Sequence, residues 1–309
     1  IEFILDDLPS STTLVIYYDP EQLGVLNETD RVVIIEAGTT VDNLLGSNAA
    51  LAFNDLDNGD EVRSVTITGL GGTIIDGDIV IGTETESEKD APRNLLQSFT
   101  FVSEGDGSQV NADDETTTAN VINGDITPFP VGFGALNENS LLDVELVANN
   151  TLDINGTLFM NNAAEDDAVA TLATSGTADI QIDEIRLEDE FASGSGDDDD
   201  NGEISEFVID HTGAGTLEIV GDSDGIEMGS TPTLTFTGTG NIVFDTFDGD
   251  VEDTGVDGDD VLETLDASGL SGNLNVGAIE SVNSGEFALV SGTGVTIAQL
   301  RDSSLDSDG

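Results

Sequence analysis

Apolar residues fall at every second position along most of this chain. Examples are Val65 and Ile67, Ile79 and Ile81, Phe99 and Phe101, Leu142, Val144 and Leu146, and Leu152 and Ile154. The pattern continues through Ile180 and Ile182, Leu217 and Ile219, Leu234 and Phe236, and Ile242 and Phe244, with mostly Thr, Asp, Glu or Asn in between. A period of two sends alternate side chains to opposite faces of an extended strand, so it predicts strands with one buried and one wetted face. The intervening threonines are β-branched and favour the same conformation. Helical periodicity is confined to residues 91–97 and 296–301, each too short to form a layer. The predicted fold class is all-β.

Glycine, asparagine and aspartate punctuate the strands. Clusters at 69–72, Asp76-Gly77-Asp78, Asn123-Gly124, Asn155-Gly156 and 238–240 predict frequent tight turns. Polar or acidic passages at 83–90, 104–118, 194–203 and 245–260 lack a core pattern. The main division is expected near Asp125. It separates a β-rich domain, 1–125, from a C-terminal domain, 126–309, that carries acidic loops at 194–203 and 245–260.

From Ile204 onward the apolar segments shorten and recur between glycines, as in "TLEIVG", "TLTFTGTGNIVF" and "GEFALVSGTGVTIAQL". That texture predicts a stacked β-solenoid or β-helix, whose rungs bury a narrow core against their neighbours. Tandem β-sandwich domains give the same alternation and are the alternative fold. At the N-terminus, the apolar segment from Ile1 to Leu5 has two readings: it pairs within its own chain, or it completes the sheet of a neighbouring copy.

Charge narrows the function. Asp and Glu number 64 against 6 Lys and Arg, a net charge of -58. A compact monomer of this mass would expose roughly 12,000 Å², a mean charge spacing of ~14 Å, which exceeds the ~8 Å screening length of physiological salt. The acids are not evenly spread, however. Runs such as Asp197 to Asp200, or Asp248, Asp250, Glu252 and Asp253, place like charges well inside that length and so call for cations. Two sources fit: calcium bound at the clusters, which their position between apolar segments favours, or the molar salt of a halophilic setting. The same charge repels nucleic acid and anionic membrane surfaces. No stretch reaches the length of an apolar membrane span, and there is no cysteine, hence no disulfide. A start at Ile1 fits a processed, exported chain, so the expected location is extracellular or at the cell surface.

Three segments have calcium-ligand spacing. Asp197-x-Asp199-x-Asn201-Gly202 matches the first half of an EF-hand loop, where oxygens at alternate positions turn inward and glycine permits the bend. Val208 occupies the place of the closing glutamate, leaving Glu203, Glu206 or Asp210 to close the site. Asp55-x-Asp57-x-Gly59, with Asp60 and Glu61 following, is the second candidate. The third is Gly258-x-Asp260-x-Leu262, preceded by Asp257, within "GVDGDDVLETLDASGLSGNL". This resembles half of the calcium-binding nonapeptide of RTX proteins, and the following "LETLDASGLSGNLNV" is similar in texture to bacterial surface-layer and RTX-like proteins. The resemblance covers about the last 60 residues. It implies a secreted, calcium-dependent, self-assembling structural protein and transfers no catalytic residue.

Enzymatic readings find little support. His211 is the sole histidine, without a G-x-S-x-G elbow before it, and reads as a turn or surface residue beside Gly213. The absence of Trp and the presence of only two Tyr leave few platforms for a sugar cleft. The basic residues Arg31, Arg63, Lys89, Arg93, Arg186 and Arg301 are scattered, which disfavours a polysaccharide lyase acting on an acidic substrate. Sequons at Asn27, Asn149 and Asn155 occur at the frequency such a composition produces.

The expectation is a non-enzymatic extracellular subunit that assembles with copies of itself into a filament or surface lattice. Calcium or high salt would neutralise its charge. A calcium-dependent adhesin or carbohydrate-binding module, meeting a cell-surface glycan, is the second reading. A lyase on a β-helix is the third.

Overall fold

The computed structural model describes residues 4–5, 30–35, 37–42, 49–53, 64–81, 98–105, 109–110, 116–128, 141–161, 168–188, 204–220, 225–228, 231–248, 262–280 and 288–301. Every regular element among them is a β-strand.

Ten strands form a first sheet, parallel throughout. In spatial order they are β1 (Ile4–Leu5), β2 (Asp30–Ile35), β5 (Ser64–Leu70), β8 (Ser98–Glu104), β13 (Asp143–Ala148), β15 (Ala168–Gly176), β17 (Ile204–His211), β20 (Thr233–Gly238), β22 (Thr264–Leu270) and β24 (Ala288–Val290). The second parallel sheet has thirteen. It opens with β3 (Thr40–Asp42) and β4 (Ala49–Phe53), β6 (Ile74–Asp76) and β7 (Asp78–Ile81), then β11 (Asn120–Ile122) and β12 (Ile126–Thr127). It continues with β14 (Leu152–Asn161), β16 (Ile180–Glu188), β18 (Thr216–Ile219) and β19 (Ile226–Glu227), and ends with β21 (Asn241–Asp248), β23 (Leu274–Glu280) and β25 (Thr296–Arg301). A separate antiparallel pair, β9 (Gln109–Val110) and β10 (Thr116–Thr117), is inserted once.

From β2 onward the chain alternates between the sheets, one pass after another. Parallel neighbours need a crossover, and here the crossover of each sheet is a strand of the other. Register is kept from pass to pass: Val33 pairs with Ile67, Ile67 with Phe101, and Phe101 with Leu146. The alternating apolar residues are the inward ones. Val65, Ile67, Phe99, Phe101, Leu152, Ile154, Leu234, Phe236, Ile242 and Phe244 are all buried in one continuous core between the sheets. Phe236 of the first sheet meets Phe244 of the second edge to face, with ring centroids 5.4 Å apart. Each such side chain contributes about 1.5 to 3 kcal/mol by leaving water.

The alternating-sheet arrangement is not restricted to the chain beyond Ile204; it is already present at β2 and β3. Asp125, where composition suggested a division, lies between β11 and β12, and both sheets and the core run past it. Antiparallel pairing, which tandem sandwiches require, is limited among the described residues to β9 with β10 and the Leu141–Asn161 bridge. Residues 296–301 form the strand β25 rather than a helix, because pairing with β23 satisfies its backbone while so short a helix would not hold alone. The other helical candidate, 91–97, lies outside the described residues. Ile4 and Leu5 pair with Ile34 and Ile35 of their own chain.

The Asx-Gly signals divide into two kinds of structure. Asp76-Gly77-Asp78, Asn123-Gly124-Asp125 and Asn155-Gly156 are not reversals: they are corners, stacked one on the next, where the second sheet bends within a pass. A Cβ on Gly124 would lie 2.2 Å from the carbonyl carbon of Gly77, and one on Gly156 2.4 Å from the oxygen of Gly124, so only glycine allows the corners to stack. The true turns run from the first sheet to the second, at 212–215, 239–240 and 271–273. They hydrogen-bond to one another, as when Thr239 N and Gly240 N donate to His211 O and Ser271 N donates to Gly238 O.

Candidate functional site

The inward column that begins Val33, Ile67, Phe101, Leu146 continues as Thr174, His211 and Gly238. His211 is therefore buried, not at the surface as its glycine neighbours suggested. Its Nδ1 lies 2.8 Å from Thr174 Oγ1 and its Nε2 3.0 Å from the carbonyl oxygen of Gly215. A carbonyl only accepts, so Nε2 carries the proton and Nδ1 accepts from the threonine hydroxyl. The ring fills the turn, and Gly240 packs against it: a Cβ there would sit 2.1 Å from Cδ2. Every polar atom of this histidine is engaged in closing the turn.

A second buried polar node secures an earlier turn. Asn120 Oδ1 accepts from Thr73 N at 3.0 Å, and its Nδ2 donates to Gly69 O at 3.0 Å and Ser103 Oγ at 2.8 Å. Ser103 Oγ in turn donates to Asn150 O at 2.7 Å. Four segments from three successive passes are thus joined by one amide and one hydroxyl.

Carboxylates and amides line the outside of the corners. Asn155 Nδ2 donates to Asn123 Oδ1, 32 residues earlier, at 3.0 Å, and Asn123 Nδ2 donates to Asp76 Oδ1 at 3.3 Å. Beside this ladder Asp125 N donates to Asp78 Oδ1, and Thr157 N to Asp125 Oδ1. Burial pushes the Asp78 carboxyl above its ordinary pKa; the hydrogen bond from Asp125 N opposes that shift, and the charge of Asp125 adds to it. Burial alone raises Asp143 and Asp153.

The residues with calcium spacing, Asp197, Asp199, Asn201 and Glu203, Asp55, Asp57 and Asp60, and Asp257 and Asp260, all lie outside the described residues. Glu206 and Asp210, considered as closing ligands, project from β17 and accept from Thr235 Oγ1 at 2.6 Å and Thr237 Oγ1 at 2.8 Å on the next strand. Leu262, the aliphatic end of the third motif, is buried in the core. Among the described residues no cluster of three or more acidic or histidine side chains has metal-binding geometry. No protein-family model, curated protein or solved structure matches the chain.

Two surface features remain. Along the bent part of the second sheet, Phe159, Arg186, Glu227, Asp248, Glu280 and Arg301 occupy one column in register. Arg186 lies over the Phe159 ring, 5.8 Å from its centre, and forms ion pairs with Glu184 and Glu227.

The other feature is the last pass. Strands β24 and β25 are the final members of their sheets. Leu289 takes an inward position, paired with the fully buried Leu265, yet it is exposed, as are Val290, Val295 and Ile297. Residues 288–301 contain no acid and one arginine. In register, Val290 pairs with Asp266 and Ile297 with Asn275, both outward positions, so of these residues Leu289 alone continues a core column.

Proposed function

We propose that the chain is a stacked β-solenoid serving as a non-enzymatic extracellular structural subunit, built to associate with copies of itself once cations screen its charge. The observation that carries this reading is the architecture: two parallel sheets share one continuous core and keep register from pass to pass, in a chain of net charge -58. The titratable groups support the same reading: the one histidine is spent on a turn, and Asp76, Asp78 and Asp125 hydrogen-bond along the corners.

Calcium at the aspartate loops, or molar salt, is the proposed counterion. Sedimentation and electron microscopy across a concentration series, in calcium, in chelator, and in chelator with molar potassium chloride, test the assignment. Cation-dependent assemblies are expected. A chain that stays monomeric at high concentration in all three solutions overturns self-assembly and moves the assignment to a calcium-dependent adhesin that binds a cell-surface glycan.

A further inference from the structure

We infer that His211 is a proton-operated latch: acid adds a second N–H to its buried ring, and the turns at 212–215 and 239–240 that close around it come apart. Among ionisable side chains only histidine ordinarily changes charge between pH 5 and 8, and this chain has one. The latch operates within a single copy, whether or not copies associate.

Two buried polar groups close turns between the sheets, and they differ in one respect. Asn120 holds the earlier turn with an amide, which takes up no proton in this range. His211 holds the later one with a ring that does. In its neutral form the ring plays both roles: Nδ1 accepts from Thr174 Oγ1 and Nε2 donates to Gly215 O. A proton on Nδ1 turns that acceptor into a donor, facing a hydroxyl that already donates to it. It also places a positive charge on a residue that is 1% exposed.

Among the described residues no carboxylate bonds to the ring. The strands on either side of β17, β15 and β20, carry no ionisable residue. On β17 itself Asp210 accepts from Thr237 Oγ1 and Glu206 from Thr235 Oγ1. In the preceding turn Asp179 is exposed and accepts from Thr216 N. The second-sheet residues that follow these turns, Ile180, Leu217 and Ile242, are apolar and buried, and Glu218 alternates outward beside Leu217. Glycines press on the ring: a Cβ on Gly213 would lie 2.8 Å from Cε1, and one on Gly240 2.3 Å from Nε2. An unpaired buried charge is costly, so the open turn takes up a proton that the closed one does not, and the closed turn loses stability as pH falls.

Four backbone hydrogen bonds report the state of the latch. Thr212 N donates to Thr174 O and Ala214 N to Gly176 O, tying the turn to the pass before; Thr239 N and Gly240 N donate to His211 O, tying the next pass to it. Amide hydrogen exchange at pH 8 and pH 5 reads them, each rate taken relative to the intrinsic rate at its pH, in molar potassium chloride so that changes in net charge are screened. Protection at these four amides is expected to fall about tenfold or more at pH 5, while Thr73 N, held by Asn120, keeps its own. His211→Gln retains one donor and one acceptor without the site of protonation, so its turns should be equally protected at both pH values.

Unchanged protection in the parent at pH 5 overturns the latch. So does an equal loss at Thr73, or a loss that persists in His211→Gln, since either assigns the effect of acid to the carboxylates. The comparison of the two turns within the parent decides the matter even where the variant does not fold.

Discussion

Asn120 and Asp153 show how differently single polar residues bear on this fold. Asn120 is buried with its carbonyl and amide both engaged, so Asn120→Ala removes one partner of Thr73 N and one of Gly69 O at once. Two buried groups that each lose a partner cost about 1 to 3 kcal/mol apiece, giving an expected loss of about 2 to 6 kcal/mol in chemical denaturation; a loss under about 1 would show that water replaces the amide. Asp153 has the opposite sign. Burial raises its carboxyl pKa above the ordinary value, so between that value, about 3.9, and the folded one the native chain holds more protons than the unfolded chain. Its contribution is most favourable below the ordinary pKa and is lost as pH rises through the folded one. Asp153→Asn should therefore raise the denaturation midpoint at neutral pH, with the gain vanishing under acid; an equal gain at both pH values would point to a cause other than the charge. His211 was legible in the sequence only as a polar residue beside a glycine, and Asn120 carried no signal of its own. Their burial depends on partners 47 and 37 residues away, Thr73 and Thr174, and no local pattern encodes those.

At the scale of the element, the strands were readable and their pairing was not. Alternation at Phe99 and Phe101 gives a buried face in parallel and antiparallel sheets alike, so parallel order had to come from the connections. Asn-Gly and Asp-Gly are ordinarily strong hairpin signals, yet at 123–124 and 76–77 they mark corners of a sheet that continues in the same direction. The corners make a sharp comparison. Gly156→Ala would place a Cβ 2.4 Å from Gly124 O, and a backbone oxygen in a stacked pass has little room to move. Gly69→Ala would meet side-chain atoms at 3.3 Å, which can yield by a few tenths of an ångström. The first should cost about 3 kcal/mol or more, the second about 1, as measured by urea midpoints; equal costs would mean the corner relaxes as a unit. The strand at 296–301 was misread as helical because six residues with Ala, Gln and Leu carry little periodicity, and the edge of β23 decides their conformation.

For the whole molecule, the balance is between a continuous core and a net charge of -58. If calcium binds only the folded chain, each independent site adds about 2.7 kcal/mol at a hundredfold excess over Kd, so melting should rise in calcium and fall in chelator. Rescue of the chelated protein by molar potassium chloride alone would assign the charge to general screening, and an unchanged midpoint throughout would remove the cation from the account. What the sequence by itself determined is the alternating strands and their inward faces, because side-chain alternation is a local property of the chain. Only the tertiary structure decided that the passes share register from Val33 through Leu146, that His211 is enclosed by its neighbours, and that Leu289 is not. Leu265 and Leu289 pair at one inward position of neighbouring strands, and their different burial depends on what packs around each, which no local pattern encodes.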